Sequence, residues 1–359
     1  MQRFKDFLGD IDHLWKKSAG SDKPEYVHPK LKNLGNVSIV LIREAIAPVV
    51  FKNFEQEITD IEITNGGESH VRAVPNKFKY PERGRGLQIL RALKAGGNFP
   101  QNKTVLAGKP SEVFDLNSIV FGDSVQKPKV LPIKAAVNYS DALSVLPKHQ
   151  CVEETEHVRA NEAGTLWDEE KHENSSNLFR RHFIKPGALM LQVLSTRHCL
   201  LPQIGLDHLL LCLGVAGTYG GQTSVTGINI RTHFVGIYGD TFEKAMTSPY
   251  QLVQKTLVQK DIALCRDVIA LTEYLHDELF KAHTVSMNAK EATDYQQKLL
   301  TRFEKENGTL ATEYQVAQEK IGAFFDGWFG TKNAKNANKG NRKPVKSKVE
   351  STDMFENKA

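Results

Sequence analysis

The chain has 359 residues, 40% of them hydrophobic, with a formal charge of +5 and four cysteines. That length supports a sizeable core in one decorated domain or in two, and the cysteines form no Cys-x-x-Cys pair that would signal a disulfide framework or a cysteine-rich zinc site. No apolar run reaches the roughly 18 residues of a membrane span, and Asp6, Asp10 and Asp12 interrupt the N-terminus where a signal peptide needs apolar residues, so a soluble protein of the reducing cytoplasm is expected. The charge is uneven: residues 331–359 hold eight basic and three acidic residues, leaving 39 of each before them. A cationic cluster in the body of the chain is therefore a local feature.

Taken in order, residues 1–20 repeat Phe4, Phe7, Leu8, Ile11, Leu14 and Trp15 at helical spacing, an amphipathic arm that packs on its own domain or docks on a neighbouring molecule. Residues 36–51 are β-branched and apolar on both faces, which predicts a central strand buried on both sides. Arg43 and Glu44 lie within it, where a charge must pair with a buried partner or face a ligand. Ile58 to Thr64 alternates as a shorter strand, and Asn65-Gly66-Gly67 signals a turn.

Residues 72–94 follow, with Arg72, Lys77, Lys79, Arg83, Arg85, Arg91 and Lys94 against the single acid Glu82. Pro75, Pro81, Gly84 and Gly86 predict a loop up to about Leu87, and Leu87, Leu90 and Leu93 then predict a short helix. Such a loop aims cations and free helix N–H groups at one place, which suits a phosphate polyanion; its plainer alternative is a solvated basic loop.

Val113 to Phe121 and Ile133 to Val145 are expected as strands, with a loop over Gly96 to Lys109 between them and the helix before. From about 147 to 177 the pattern gives way to an acidic insertion, either a flexible loop or an extended hairpin. Within and beside it His149, Cys151, His157 and His172 match no standard zinc spacing, so no metal is assigned. Arg180 to Phe183 and Leu189 to Leu194 predict strands around the Lys185-Pro-Gly187 turn, and a helix from Gly205 is apolar nearly all round. Residues 228–237 return to strand, 249–330 turn helical, and 331–359 are too polar to fold alone.

Between that buried helix and the next strand lie Gly217, Tyr219, Gly220, Gly221, Gln222, Thr223, Ser224 and Gly227, with Arg231 just beyond. Glycines there let backbone N–H groups approach an anionic or flat ligand, and they are also an ordinary way to end a helix. No Gly-x4-Gly-Lys-Ser/Thr, strand-first dinucleotide fingerprint or Gly-x-Ser-x-Gly elbow occurs, so no nucleotide cofactor and no catalytic residue is assigned. Asp60, Asp115 and Asp141 stand beside strands, where acids serve metal chemistry or cap turns.

The order of these motifs resembles the RAMP superfamily of CRISPR systems. More closely, Leu41-Ile-Arg-Glu-Ala-Ile-Ala-Pro48, Val74-Pro-Asn-Lys-Phe-Lys79, Arg83-Gly-Arg-Gly-Leu-Gln88, Lys109-Pro-Ser-Glu-Val-Phe-Asp-Leu116 and Tyr219-Gly-Gly-Gln-Thr-Ser-Val-Thr-Gly227 resemble the backbone subunit of type I-D CRISPR surveillance (Cascade) complexes. That resemblance covers roughly residues 25–240. It implies an α+β fold, a ferredoxin-like, RRM-like core over 25–245, with a thumb-like insertion at 147–177.

It also implies partners: guide RNA (crRNA), target DNA through the guide, neighbouring copies of the chain and other subunits of the complex. The residues expected at the RNA are Arg43, Asn76, Lys77, Lys79, Arg83, Arg85, Arg91, Tyr219, Gly220, Gly221, Gln222, Thr223, Ser224 and Arg231. Contacts of this kind hold phosphates and 2′-hydroxyls without reading bases, and no enzymatic activity is expected. Two other readings stand beside it: a metal-dependent nuclease using a loop aspartate, Asp60 being the loosest fit, and a monomeric single-strand RNA-binding protein.

Overall fold

Asn36–Ala45 (β1) is an interior strand of the main sheet in the computed structural model because its residues are apolar in both parities, and all but Glu44 are buried. The structure describes residues 1–10, 16–17, 24–25, 34–51, 58–63, 67–97, 114–123, 133–158, 167–168, 173–174, 178–221, 223–305 and 308–329. The basic tail therefore lies outside the described residues, as do parts of the N-terminal arm and most of the expected 96–109 loop.

In chain order after β1 come Asp60–Glu62 (β2), Ser69–Ala73 (β3), Asn76–Ala92 (α1), Leu116–Phe121 (α2), Val137–Tyr139 (β4), Ala142–Pro147 (β5), Val152–Val158 (β6), Leu178–Ile184 (β7) and Leu189–Thr196 (β8). Gln203–Val215 (α3), Ile230–Asp240 (β9), Pro249–Val258 (α4), Val268–Phe280 (α5), Val285–Asn288 (β10), Ala289–Glu304 (α6) and Thr309–Phe329 (α7) follow, with shorter pieces between the elements. The main sheet runs β10-β9-β1-β8-β5-β3-β2, with β4 on β8, and its pairings are antiparallel. The fold is thus α+β. Its centre has the chain order β1, α1, β5, β8, α3, β9, with the last of these strands next to the first and the first next to the third.

Alternation along β1 sends Val37, Ile39 and Leu41 into one core and Val40 and Ile42 into the other. The first core is closed by Ile89 and Leu90 of α1, Leu206 and Leu210 of α3, Leu299 of α6 and Tyr314 of α7. The second is closed by Leu252 of α4 and by Leu271, Leu275 and Leu279 of α5. Helices thus lie over both sheet faces. The elements described in the 249–330 region are helices apart from β10, whose four residues pair with β9 from Gly236 to Gly239.

Two expectations fail for local reasons. Of the strand expected over 113–121, residues 116–121 form helix instead, because Asp115 accepts from the Ser118 amide while the Ser118 hydroxyl bonds the Asp115 amide, a reciprocal capping box. A short, largely apolar stretch cannot by itself distinguish a buried strand from a buried helix. The expected strand 133–145 is split into β4 and β5 at Ser140-Asp141, where the Ser140 hydroxyl accepts from the Val193 amide at 2.9 Å.

The described flanks of the acidic insertion pair as the two arms of a hairpin, β6 and β7, from Val152↔Ile184 to Val158↔Leu178, while most of residues 159–177 lie outside the described residues. Among the described residues of the N-terminal arm, Gln2–Phe7 forms a short helix, and Phe4 and Phe7 are buried against Gly239 of β9. The arm thus packs on its own domain as far as it is described.

Helices α1 and α3 approach closely because Gly86 has no side chain: a Cβ there would lie 2.2 Å from Asn117 Oδ1 and 2.9 Å from His208 Nε2. His208, pushed down to about 3 by burial, is neutral and donates from Nε2 to Asn117 Oδ1 at 3.1 Å. Gly86→Ala should destabilise the protein by about 1–3 kcal/mol in urea unfolding, although alanine favours helix by about 1 kcal/mol. An unchanged or raised urea midpoint would mean that this helix pair has room to spare.

Candidate nucleic-acid interface

The stretch expected as a basic loop is the first half of a 17-residue helix, α1, which starts at Asn76 and carries Pro81 inside it. Proline removes an N–H and costs a helix interior about 3 kcal/mol, so burial must outweigh it. The buried face supplies this: Phe78, Glu82, Gly86, Ile89 and Leu90 all turn to the core, whereas Leu87, expected there, is only half-buried.

A helix distributes the cations that a loop would have gathered. Lys79 and Arg83 sit one turn apart on one flank, and burial, then the charge of Arg83, pushes the Lys79 amine down. Arg83 is mostly buried and pairs with Asp123 at 3.2 Å. Arg85 lies on another side and donates to Gln88 Oε1 at 2.9 Å, while Arg91 Nε donates to the Gly97 carbonyl. The helix N-terminus is also occupied: the amides of Lys77 and Phe78 donate to the carbonyls of Val74 and Pro75 at 3.0 and 3.1 Å. The expected cradle of free N–H groups is not built there.

Arg43 is fully buried and its guanidinium faces inward, toward the Glu82 carboxylate at 2.8 Å. Nη2 makes that approach without an aligned hydrogen bond, so this contact is between charges. Nε donates to Gln192 Oε1 (3.0 Å) and Nη1 to Thr232 Oγ1 (2.7 Å) and Tyr219 Oη (3.4 Å). Glu82 in turn accepts from Tyr139 Oη (2.6 Å) and Tyr219 Oη (3.0 Å). Burial, then the Glu82 charge, raises both phenols well above their ordinary range. For Arg43 burial works the other way, and the charge of Glu82 overcomes it to raise the guanidinium. Of the two roles open to Arg43 in the sequence, the structure shows the buried pair.

This pair brings the two sequence constellations together. Phe78 of α1 packs between Phe51 and Tyr219, with ring centroids 5.5 and 5.3 Å away, and the Arg43 guanidinium lies 4.7 Å from its own centroid. Tyr219 is thereby an internal anchor of the Gly-rich segment. Next to it Gly220 has φ +80, and a Cβ would meet the Val50 carbonyl at 2.5 Å. The Gly221 amide donates to that same carbonyl at 2.8 Å. Beyond, Thr223–Thr226 make one helical turn with Ser224 exposed, and Gln222 lies outside the described residues. Arg231 is 61% exposed and 3.7 Å from Glu44, which also bonds His233 at 2.7 Å.

Residues 28–314 match the family model described as Csc2 Crispr. The chain belongs to the Csc2 CRISPR family. Its fold is similar to the crystal structure of Thermofilum pendens Csc2, with TM-score 0.55 and 15% identity over 92% of this chain and 99% of that chain. A chain of a structure titled "CRISPR RNA-guided surveillance complex, pre-nicking" is similar at TM-score 0.48 and 11% identity, covering 70% of this chain and 90% of that one. No curated protein matches the sequence.

The acids weighed for metal chemistry in this Csc2 family member have structural partners. Asp60 accepts from Lys148 Nζ at 2.8 Å, Asp115 caps α2, and Asp141 accepts from Arg72 Nε at 2.8 Å and Tyr250 Oη at 2.7 Å. Cys151 is buried with its thiol turned to the Leu146 carbonyl, and His149 Nδ1 is 3.7 Å from Glu68. The side chains of His157 and His172 lie outside the described residues. Among the described residues no group of three His, Cys, Asp or Glu side chains is placed to hold a metal, and no helix is long and apolar enough to cross a membrane.

Asn229, which the sequence pattern does not single out, is fully buried and grips the Tyr219 backbone from both sides: its Oδ1 accepts from the amide at 2.9 Å and its Nδ2 donates to the carbonyl at 2.8 Å. Its position just past the last loop glycine was the available signal, since asparagine side chains bond nearby backbone in turns.

Proposed function

We propose that this chain is a non-catalytic backbone subunit of a type I-D CRISPR surveillance complex, within the RAMP superfamily. Several copies line a guide RNA in the cytoplasm, hold it without reading its bases, and present it to target DNA beside the other subunits of the complex. Membership of the Csc2 CRISPR family over residues 28–314 carries this reading.

The connectivity β1-α1-β5-β8-α3-β9, with strand order β9-β1-β8-β5, supports a ferredoxin-like, RRM-like core. Helices cover both faces of the sheet, so RNA would be held by edges and loops rather than stacked on strands. The partly exposed cations of α1, the loop at Ser224 and Arg231 offer such contacts. The extended hairpin β6–β7 takes the part of the thumb-like insertion, reaching over the RNA toward the next copy.

The test is binding of two unrelated single-stranded RNAs of equal length across a salt series, by the full chain and by a Lys77→Ala, Lys79→Ala, Arg85→Ala variant. Equal affinity for the two sequences is expected, with weaker binding by the variant and a salt slope flatter by about 0.7 for each phosphate no longer neutralised. Failure of the full chain to retain either RNA at low salt would overturn the RNA-binding role. A one-to-one complex by sedimentation would overturn the multi-copy assembly, and cleavage of RNA or DNA on adding Mg²⁺ or Mn²⁺ would overturn the non-catalytic role.

A further inference from the structure

A cavity of about 1130 Å³ opens between the N-terminal helix Gln2–Phe7, the start of α3 and the first half of α7. Leu8, Ile204 and Val316 give it apolar walls, and Val316 is 48% exposed. Its volume exceeds the roughly 300–1,000 Å³ of a small-ligand pocket and fits a stretch of chain.

Asp207 of α3 lines this cavity and is only 8% exposed. Both hydrogen bonds of its carboxylate fall on one oxygen: Oδ1 accepts from Tyr295 Oη at 2.8 Å and from Gln203 Nε2 at 2.9 Å. Oδ2 has no partner among the described residues and stays accessible from the cavity. The charges of the Met1 ammonium and of Arg302 act on the carboxylate, but neither pairs with it, and Arg302 pairs with Glu313 at 2.7 Å. Burial pushes the carboxyl up to about 6. A buried carboxylate with one oxygen unused is costly until a donor reaches it. A long basic side chain suits the place, because its methylene stem lies along apolar walls while its charged head meets the acid.

The chain itself carries such side chains close by. Helix α7 lines the cavity from Thr309 to Lys320 and ends at Phe329, and residues 331–359, outside the described residues, hold eight basic residues against three acids. Within them Arg342-Lys343-Pro344-Val345-Lys346-Ser347-Lys348-Val349 joins four cations to two valines. The way back along α7 from Phe329 to Glu313 is about 24 Å, whereas the chain from Phe329 to Arg342 spans up to about 43 Å when extended. Reach is ample.

We infer that the cavity is the docking site of the chain's own basic segment 342–349, with one of its lysines or arginines on Asp207 Oδ2 and its valines against Leu8, Ile204 and Val316. This contact does not depend on the guide-RNA reading. A tail so held keeps its cations from loose contact with any polyanion in solution.

The experiment uses the full chain with the photo-cross-linker p-benzoylphenylalanine in place of Val316 or, separately, of Thr312, as a mixture of isotopically light and heavy protein. After irradiation and digestion, mass spectrometry should find cross-links to residues 342–349 that join light to light and heavy to heavy. Asp207→Asn keeps an oxygen for Tyr295 and Gln203 but removes the charge, and should lower the yield about tenfold. The fourfold variant Arg342→Gln, Lys343→Gln, Lys346→Gln, Lys348→Gln should do the same without touching either core, which guards against a folding defect in Asp207→Asn. No cross-link to the tail from either position, or an equal yield in the fourfold variant and the wild type, would overturn the inference. Cross-links that join light to heavy in the proportion of random mixing would also overturn it, because the segment would then come from a second copy.

Discussion

Glu82→Gln is expected to lower the unfolding free energy by about 3–5 kcal/mol, because it leaves the Arg43 guanidinium buried without a counter-ion. Both side chains are fully buried in an ion pair 2.8 Å apart, and Arg43 stays charged at any pH at which a protein folds. Arg43→Met should cost a comparable amount near neutral pH, since it strands the carboxylate instead. The two differ in how the loss can be relieved. A stranded carboxyl can take up a proton while Tyr139 and Tyr219 still bond it, so the deficit of Arg43→Met should shrink in acid; a stranded guanidinium has no such route. The double variant Arg43→Met, Glu82→Leu should recover much of the loss, because a buried pair replaced whole by apolar groups is often nearly neutral. Urea unfolding of the four proteins at neutral and acidic pH measures all of this. A deficit below about 1 kcal/mol in both single variants would mean that the pair is solvated and that α1 is not fixed through it.

That pair also marks the limit of what the sequence disclosed. The strands β1, β8 and β9 and the helix α3 were legible because each carries a dense apolar stretch in which period and composition agree. The N-terminal half of α1 was not. Pro81, Gly84 and Gly86 each argue against helix locally, and what overrides them is burial of Phe78, Glu82 and Gly86 against partners far away in the chain. Glu82 looked like a lone acid in a basic run, yet it is the counter-ion of Arg43, 39 residues earlier, and no spacing rule connects two residues across a strand, a hairpin and a helix. The capping box at Asp115 and Ser118, by contrast, is a short-range signal that the residues displayed and that a reading by apolar runs overlooked. The four residues of β10 are too few for alternation to show.

The site divides in the same way. Lys77, Arg85, Ser224 and Arg231 were named from charge and composition and lie at least partly exposed, where a ligand can reach them; Arg43 and Tyr219 were named beside them and are wholly internal. Residue type identifies a cation or a phenol but not the direction it faces, which is set by parity on a strand whose other neighbours are unknown until the sheet is assembled.

Asn229→Ala should cost about 2–6 kcal/mol, because it deprives both the amide and the carbonyl of Tyr219 of a partner inside the protein, at about 1–3 kcal/mol for each buried group. Asn229→Asp should be no milder: it keeps the acceptor for the Tyr219 amide, but turns an acceptor toward the Tyr219 carbonyl and places a charge in a fully buried position. The Asn229 backbone is a junction as well, its amide donating to Gly217 and its carbonyl accepting from Ile46, both at 2.9 Å, so one side chain ties the start of the Gly-rich segment to the chain leaving β1. Hydrogen exchange should consequently accelerate at the Tyr219 and Gly221 amides in Asn229→Ala before the rest of the sheet opens. Slow exchange there, with an unchanged urea midpoint, would show that the buried phenol of Tyr219 holds the segment alone. If the segment does loosen, any ligand it contacts must supply the ordering entropy that Asn229 now provides. RNA binding should then weaken at every salt concentration without a change in salt slope, which separates a residue that positions the loop from a cation that touches phosphate.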